Sequence, residues 1–132
     1  MGFLIVFVGA GFGGAIRHAV NLAVPRLLPG LAFPLSTLVI NVLGSVLMGI
    51  LAESFALRGA LASHPVRLLL TTGVLGGFTT FSTFSLDAVA LYEKGEIIAA
   101  ATYIGVSVAA SLAGLLAALI FVRGFLGPLG NA

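Results

Sequence analysis

The sequence predicts an all-α membrane protein with four transmembrane helices, arranged as a single domain over residues 1–132. Two features of the composition indicate this class: 60% of the 132 residues are hydrophobic, whereas only 8% are charged. A soluble domain carries roughly 25% charged residues, because water has to solvate its surface. The composition therefore excludes an ordinary soluble domain and a disordered chain. With a net charge of only +2 and scattered basic residues, it also excludes a nucleic-acid-binding protein.

The third feature is the spacing of uncharged stretches, since a helix needs about 20 mostly apolar residues to cross a bilayer. Span one covers residues 3–24 and span two covers residues 35–52. Span three lies between Arg67 and Asp87, and span four lies between Glu96 and Arg123. Turn-forming residues separate the spans, namely Pro25, Pro29, Gly30, Pro34, the pair His64-Pro65 and the pair Lys94-Gly95. A cleaved signal peptide is the alternative for span one, but no positively charged segment precedes it.

The loop charges give almost no preference for one orientation in the membrane. With four spans, the two termini and the middle loop share one side, which holds Arg58, Arg67 and Arg123. The opposite side holds Arg26 and Lys94, together with Arg17 if its side chain reaches that surface. The positive-inside rule therefore leaves two interpretations open. Either another signal sets the orientation, or the chain inserts both ways and forms an antiparallel dual-topology homodimer.

The segment Gly9-Ala10-Gly11-Phe12-Gly13-Gly14 matches the G-x-G-x-x-G pattern of dinucleotide-binding sites. Such a site needs an acidic residue about 20 positions later within a βαβ unit, and the first acidic residue here is Glu53. We therefore interpret these glycines as helix-packing residues, which allow a neighbouring backbone to approach closely in a membrane.

Small or polar residues recur every four positions in three of the spans, and therefore lie on one face of each helix. The stripes are Gly9, Gly13, Arg17 and Asn21 in span one, Thr37, Asn41 and Ser45 in span two, and Tyr103, Ser107 and Ser111 in span four. Any one stripe is explained by hydrogen bonds between helices. Three stripes in four helices favour a second interpretation, a polar path through the membrane.

The third span is predicted to break at mid-membrane. Between residues 73 and 85 it carries three glycines and five hydroxyl side chains, a composition that disfavours a continuous helix. A break at this depth is tolerated where the freed backbone is buried or lines a cavity, and freed carbonyls can hold a cation. Phe81 and Phe84 share a face, and the electropositive edges of their rings can attract an anion. Contact with lipid or with the protein core is the alternative for both rings.

Three motifs carry a resemblance to a known family. They are Gly13-Gly14-Ala15-Ile16-Arg17, Thr37-Leu38-Val39-Ile40-Asn41-Val42-Leu43-Gly44 and Gly76-Gly77-Phe78-Thr79-Thr80-Phe81-Ser82-Thr83-Phe84. Together they resemble the CrcB/Fluc fluoride channels, and the third motif is the most specific. The resemblance extends over the whole chain. Two residues depart from the family pattern: His18 stands where an aromatic residue often follows the arginine, and Ser36 where glycine often precedes the threonine.

The resemblance implies a fluoride-specific ion channel, a multi-pass protein of the bacterial inner membrane that exports fluoride passively and lowers its toxicity. It implies an antiparallel homodimer with two pores and a structural Na⁺ at its centre. This ion is bound by the backbone carbonyls of Gly76 and Thr79 and is not transported. Arg17, placed toward a helix end, is expected in a vestibule. The pore-lining candidates are Asn41, Thr80, Phe81, Ser82, Phe84, Tyr103, Ser107 and Ser111. The expected partners are a second copy of the chain, fluoride and membrane lipid.

Two other functions remain open on the residues alone. A small proton-coupled multidrug exporter needs a carboxylate inside the membrane, and the four acidic residues are all expected at or beyond span ends: Glu53, Asp87, Glu93 and Glu96. A non-conducting membrane assembly subunit would explain the glycines as packing residues but not the third motif. An enzyme is not expected, since the chain has no cysteine and no evident set of nucleophile, base and acid.

Overall fold

The computed structural model describes residues 1–30, 33–58 and 63–126, where the chain consists of helices joined by short turns. The other residues of the predicted domain, 31–32, 59–62 and 127–132, lie outside the described residues. The helices are α1 (Gly2–Leu27), α2 (Leu35–Arg58), α3 (His64–Leu68), α4 (Gly76–Phe78), α5 (Phe81–Glu93) and α6 (Ile97–Leu126), and a π-helical segment over Leu69–Leu75 joins α3 to α4. No strand occurs in the described ranges, which confirms the all-α prediction for them.

Four stretches of the described chain are long and apolar enough to cross a membrane, which confirms the four predicted spans. They are Gly2–Leu27, Leu35–Leu57, His64–Glu93 and Ile97–Leu126. Large apolar side chains are exposed along them, including Phe3, Phe7, Phe121 and Phe125. Such a surface is unfavourable in water but is compatible with surrounding lipid.

Two acidic residues lie inside helices, which corrects the expectation that every carboxylate stands at or beyond a span end. Glu53 belongs to α2, which continues to Arg58, and Asp87 lies in the middle of α5. Both carboxylates are tolerated because they accept hydrogen bonds from other helices. The Glu53 carboxylate accepts from Arg123 on α6, at 2.8 Å from Nε and 3.1 Å from Nη2. The partners of Asp87 belong to the site described below.

Glycines bring α1 into backbone contact with the first half of the third span. Gly9 and Gly13 are buried, and a Cβ added to either would collide with main-chain atoms of Gly73 or Val74. From the other side, a Cβ at Gly77 would collide with the main chain of α1. These contacts confirm the packing role for Gly9 and Gly13 of the motif, because small residues let two backbones approach within van der Waals distance, whereas a Cβ at Gly11 or Gly14 would meet no neighbouring element of the described chain.

α2 and α6 pack along each other in a similar way. A Cβ at Gly49 of α2 would collide with the main chain of Leu115, and a Cβ at Gly114 of α6 would press on Val46. Ile40 of α2 and Tyr103 of α6 are fully buried. α5 packs on α6 beside them. The α2, α5 and α6 group therefore forms one side of the fold, and α1 with the first half of the third span forms the other.

Candidate functional site

The helical backbone of the third span stops for two residues between α4 and α5. Thr79 and Thr80 are extended, with φ and ψ of −76° and 158° for Thr79 and of −153° and 113° for Thr80. Both conformations are unstrained for these residues. The N–H group of Thr79 still donates to the Leu75 carbonyl at 3.0 Å, so regular helical bonding ends there. We call Thr79 and Thr80 the extended pair.

Asn41 of α2 holds the extended pair through the main chain of Thr80. The N–H group of Thr80 donates to Asn41 Oδ1 at 2.9 Å, and Asn41 Nδ2 donates to the Thr80 carbonyl at 3.0 Å. Gly44 lies almost one turn further along α2, on the same face. A Cβ at Gly44 would collide with the methyl group of Thr79. α2 therefore provides the extended pair with the side-chain amide of Asn41 and with the space left by the missing side chain of Gly44.

The side chain of Thr80 caps α5. Its Oγ1 atom accepts a hydrogen bond from the N–H group of Thr83 at 3.2 Å and donates to Thr83 Oγ1 at 3.0 Å. It also lies 3.3 Å from Ser82 Oγ. A hydroxyl at this position satisfies one of the free N–H groups in the first turn of a helix. Thr80 therefore fixes the point at which α5 begins.

Arg17 lies beside the extended pair, which corrects the expectation that it lies toward a helix end. α1 continues for ten residues beyond Arg17, to Leu27. Arg17 Nη1 donates to the Thr79 carbonyl at 3.5 Å. A charged side chain this far inside a span needs polar partners, and a carbonyl without a helical partner is one of them.

A cavity of about 400 Å³ lies between α2, the extended pair, α5 and α6. Seven of the predicted site residues line it: Asn41, Thr79, Thr80, Phe81, Phe84, Ser107 and Ser111. Gly44, Ser45, Met48, Val108, Leu112 and Leu115 complete the lining. The structure thus brings polar residues from the stripes of spans two and four to one space. We call this space the hydroxyl cavity.

Ser107 has a buried hydroxyl group without a hydrogen-bond partner in the described part of the chain. The residue is 4% exposed and lines the hydroxyl cavity. Leaving a buried hydroxyl unsatisfied costs about 1–3 kcal/mol. The hydroxyl group of Ser107 can therefore donate a hydrogen bond to a species that enters the hydroxyl cavity.

Three aromatic rings form a row from the cavity toward the start of α6. The ring centroids of Phe81 and Phe84 are 5.5 Å apart, and those of Phe84 and Tyr103 are 5.3 Å apart. Tyr103 is fully buried, whereas Phe81 is 78% exposed. The row therefore runs from the interior of the chain to its outer surface.

Asp87 lies beyond Tyr103, and sequence reasoning missed it as a site residue. Its Oδ2 atom accepts hydrogen bonds from Thr37 Oγ1 at 2.7 Å and from the Tyr103 hydroxyl at 3.2 Å. Both donors belong to the polar stripes that the sequence revealed. The signal that could have found Asp87 is its position three residues after Phe84, on the same face of α5.

The chain matches the family described as CrcB-like protein, Camphor Resistance (CrcB), over residues 4–127. It belongs to the CrcB family. It is 57% identical over 122 residues to the fluoride-specific ion channel FluC of Methylobacterium nodulans, a match that covers 92% of this chain and 96% of the relative. It is 56% identical over 124 residues to FluC of Granulibacter bethesdensis, with 93% and 95% covered. A FluC of Rhodopseudomonas palustris is 51% identical over 123 residues, with 93% and 98% covered.

Membership of the CrcB family, together with the four membrane-competent stretches, makes the chain a multi-pass membrane protein. The family that the three sequence motifs indicated is thereby confirmed. All three motifs lie inside the matched residues.

Besides Arg17, three predicted site residues of this CrcB chain lie outside the lining of the hydroxyl cavity. Ser82 is exposed and its hydroxyl faces that of Thr80. Tyr103 packs behind the ring of Phe84. Gly76 belongs to α4, three residues before Thr79. All three border residues of the lining, so they surround the cavity rather than form its wall.

The backbone around the extended pair offers carbonyl oxygens that fit a hard monovalent cation. In a continuous helix the Gly76 carbonyl would accept from the N–H group of Thr80, which here donates to Asn41. The Thr79 carbonyl would accept from the N–H group of Thr83, which here donates to Thr80 Oγ1. No group of three His, Cys, Asp or Glu side chains suited to a metal occurs in the described ranges.

Proposed function

We propose that this chain is a fluoride-specific ion channel through which fluoride leaves a bacterial cell passively across the inner membrane. Three relatives with that printed name, 51–57% identical over 92–93% of the chain, support this function. Passive export lowers cytoplasmic fluoride and so reduces its toxicity. The structural observation that carries the proposal is the buried hydroxyl of Ser107, which lines the hydroxyl cavity and has no hydrogen-bond partner among the described residues.

The chemistry of the cavity suits a small, strongly hydrated anion. Moving such an ion into hydrocarbon costs on the order of tens of kcal/mol, so a pore has to replace the lost water with other donors. Ser107 and Ser111 supply hydroxyl groups, and Phe81 and Phe84 supply electropositive ring edges. No lysine or arginine is among the described residues that line the cavity. The anion is therefore not held by a fixed positive charge that would slow its exit.

The pore is completed, in this proposal, by a second copy of the chain in the opposite orientation. The balanced loop charges support an antiparallel dual-topology homodimer. The 78% exposure of Phe81 supports a partner on that side of the cavity. A second chain would cover the ring and close the cavity, and two-fold symmetry would produce two pores.

A structural Na⁺ is proposed where the two third spans meet at mid-membrane. The carbonyls of Gly76 and Thr79 from both chains would provide four hard oxygen ligands, which suits a monovalent cation better than Mg²⁺ with its octahedral demand. When bound, the ion supplies positive charge to carbonyls that lack helical partners. Arg17, beside Thr79, would form the floor of a vestibule and raise the local fluoride concentration there.

Fluoride efflux from liposomes that contain only this protein tests the proposed function. We expect fluoride to leave down its gradient at equal pH on both sides, and chloride to be retained. Liposomes without protein give the background leak. Efflux that is absent, or that is equal for the two halides, would contradict a fluoride-specific channel.

The same assay separates the channel from the two alternatives. A proton-coupled exporter, favoured only by the position of Asp87 inside α5, would exchange protons for its substrate and so change the internal pH. A non-conducting assembly subunit would release neither halide. Efflux of fluoride alone, from an equal starting pH and without proton exchange, therefore excludes both.

A topology reporter fused to the C-terminus tests the dual orientation. We expect the wild-type chain in both orientations, since its loops carry almost no charge bias. Lysines added to the loop between α2 and α3 should shift the population toward one orientation. A wild-type chain that is found in a single orientation would contradict the antiparallel dimer.

A further inference from the structure

The two carbonyls assigned to Na⁺ have both lost their helical partners to side chains. We propose that Asn41 and Thr80 are positioning residues for the central cation site. They accept hydrogen bonds from the N–H groups that a continuous helix would pair with the carbonyls of Gly76 and Thr79. Neither side chain binds the ion itself. The inference rests on the Na⁺ site of the proposed function and assigns the residues that create it.

Asn41 acts on the Gly76 carbonyl through Thr80. Its side-chain amide pairs with both the N–H and the carbonyl of Thr80, at 2.9 Å and 3.0 Å, as a neighbouring β-strand would. If this pairing is lost, the N–H group of Thr80 is left without a partner at membrane depth, where an unsatisfied donor is costly. The nearest helical acceptor for it is the carbonyl of Gly76. Asn41 therefore keeps that oxygen available.

Thr80 acts on the Thr79 carbonyl through its hydroxyl group. Its Oγ1 atom takes the N–H group of Thr83 at 3.2 Å and donates its own proton to Thr83 Oγ1 at 3.0 Å. The residue is buried. Because the hydroxyl proton of Thr80 is already donated, it is not free to bind an anion in the cavity. A capping role therefore accounts for Thr80 better than a role as a pore donor.

Two further residues, Gly44 and Arg17, contact the surroundings of Thr79. Gly44 gives the extended pair room to approach α2, as the collision of an added Cβ with Thr79 demonstrates. Arg17 Nη1 lies 3.5 Å from the Thr79 oxygen, longer than the roughly 2.7–3.2 Å of an ordinary N–H···O bond. The Thr79 oxygen has two lone pairs, so the Arg17 contact leaves one of them for another ligand.

The first experiment compares Thr80→Val with Thr80→Ser in the purified full-length protein. The readout is the rise in melting temperature as Na⁺ replaces K⁺ at constant ionic strength, with fluoride efflux measured in parallel. Serine keeps the acceptor, so we expect the Na⁺ concentration for half of the rise to stay within about twofold of the wild type. Valine keeps the shape of the side chain but lacks the acceptor, so the N–H group of Thr83 can pair with the Thr79 carbonyl instead. We therefore expect Thr80→Val to need about tenfold more Na⁺ for half of the rise.

The second experiment compares Asn41→Asp with Asn41→Leu. Aspartate keeps an oxygen for the N–H group of Thr80, so the response to Na⁺ should persist, whereas its negative charge beside the cavity should suppress fluoride efflux. Leucine offers no acceptor, so the response to Na⁺ should weaken as in Thr80→Val. A residue that served only as a donor to fluoride would leave the Na⁺ response unchanged in both variants.

Thr71→Val is the matched control. It makes the same chemical change in the same span, where the Thr71 hydroxyl donates to the Arg67 carbonyl at 2.7 Å, eight residues before Thr79. Its Na⁺ response should equal that of the wild type. If Asn41→Leu does not fold, the comparison of Thr80→Val with Thr80→Ser alone tests the inference.

The outcomes separate this inference from the function on which it rests. A wild-type protein that conducts fluoride but melts identically in Na⁺ and K⁺ would overturn the cation site and the inference, and would leave the channel standing. A wild type that responds to Na⁺, with Thr80→Val and Asn41→Leu responding equally, would overturn the inference alone. A selective loss in those two variants, rescued by Thr80→Ser, supports it.

Discussion

The two halves of the third span are joined to their neighbours by different physical means. The first half, from α3 to α4, meets α1 through glycines whose backbones touch: Gly9, Gly13, Gly73 and Gly77. The second half, α5, is tied to α2 and α6 by the hydrogen bonds that Asp87 accepts from Thr37 and Tyr103. In lipid, apolar surface gains little by leaving its surroundings, so close packing and internal hydrogen bonds are the two means of joining helices. This chain uses one on each side of the extended pair.

The difference explains where the cavity lies. Backbones in direct contact leave no room for a ligand between α1 and the first half of the third span. On the polar side, α5 is joined to α2 and α6 through side chains, and the space that these three helices and the extended pair enclose is the hydroxyl cavity. The extended pair belongs to both sides, because Arg17 of α1 and Asn41 of α2 reach it from opposite directions. A substitution should therefore affect folding on the glycine side and conduction on the polar side.

The largest effect is expected on the glycine side, from Gly13→Ala. The added Cβ would collide with the main chain of Val74 and Phe78, which cannot move without separating the helices. Overpacking of this kind costs about 1–3 kcal/mol and sometimes more, so we expect a strong loss of folded protein. The measurements are the melting temperature in detergent and the fraction of monodisperse protein.

Gly11→Ala is the control for Gly13→Ala. No atom of a neighbouring element in the described ranges lies within 4 Å of a Cβ at Gly11, although this glycine is on the same helix. Replacing glycine by alanine inside a helix should then be neutral or stabilise by up to about 1 kcal/mol. Equal melting temperatures for the two variants would contradict the packing argument.

The next effect is expected on the polar side, from Phe81→Ile and Phe84→Ile. Isoleucine fills similar space but has no electropositive ring edge, so the barrier to fluoride should rise while the fold persists. A tenfold loss of efflux, the least we expect, corresponds to about 1.4 kcal/mol at the barrier. The assay is fluoride efflux from liposomes at matched protein content.

Phe125→Ile provides the matched control for these rings. Phe125 is an exposed phenylalanine of α6 and does not line the hydroxyl cavity. We expect wild-type efflux from this variant. Undiminished efflux in both Phe81→Ile and Phe84→Ile would contradict a role of the two aromatic rings in fluoride conduction.

The sequence was sufficient to predict those features that depend on local pattern. Charge-free length marked the four spans, and spacing of four residues placed Ser107 and Ser111 on one face. The spans are longer than predicted, since a search for charge-free stretches stops at Glu53, whereas α2 continues because Arg123 bonds to that carboxylate.

The features that the sequence did not reveal depend on contacts between distant residues. Asn41 and Thr80 are 39 positions apart, and nothing in either motif indicates that the amide binds a main chain rather than an anion. Arg17 bonds to a carbonyl 62 positions away, so its depth could not be derived from α1 alone. A rule that ends each span at a charged residue misplaces Asp87, because hydrogen bonds from Thr37 and Tyr103 let its carboxylate lie inside α5.

The third prediction compares two hydroxyl groups, that of Ser107, which has no partner in the described chain, and that of Thr37, which donates to Asp87. Ser107→Ala removes a buried hydroxyl that has no partner in the described chain, so the protein should become more stable, by up to about 1–3 kcal/mol, while fluoride efflux falls. Thr37→Val removes the donor of the 2.7 Å bond to Asp87, so the protein should lose about 1–3 kcal/mol. Melting temperatures measured without fluoride show whether each variant is more or less stable than the wild type. A loss of stability in Ser107→Ala would mean that the hydroxyl is already satisfied.

The smallest effect is expected from the ion pair between Glu53 and Arg123, which joins the C-terminal parts of α2 and α6 beyond the residues that line the hydroxyl cavity. The two partners differ in exposure: the side chain of Glu53 is 9% exposed, whereas that of Arg123 is 67% exposed. Glu53→Gln leaves an arginine that water and lipid headgroups can solvate. Arg123→Gln leaves a shielded carboxylate without its partner, so its melting temperature should fall further than that of Glu53→Gln. Both falls should be smaller than that of Gly13→Ala, and fluoride efflux should stay unchanged, because neither residue lines the hydroxyl cavity. If Glu53→Gln is the less stable of the two, the carboxylate is stabilised by something other than Arg123.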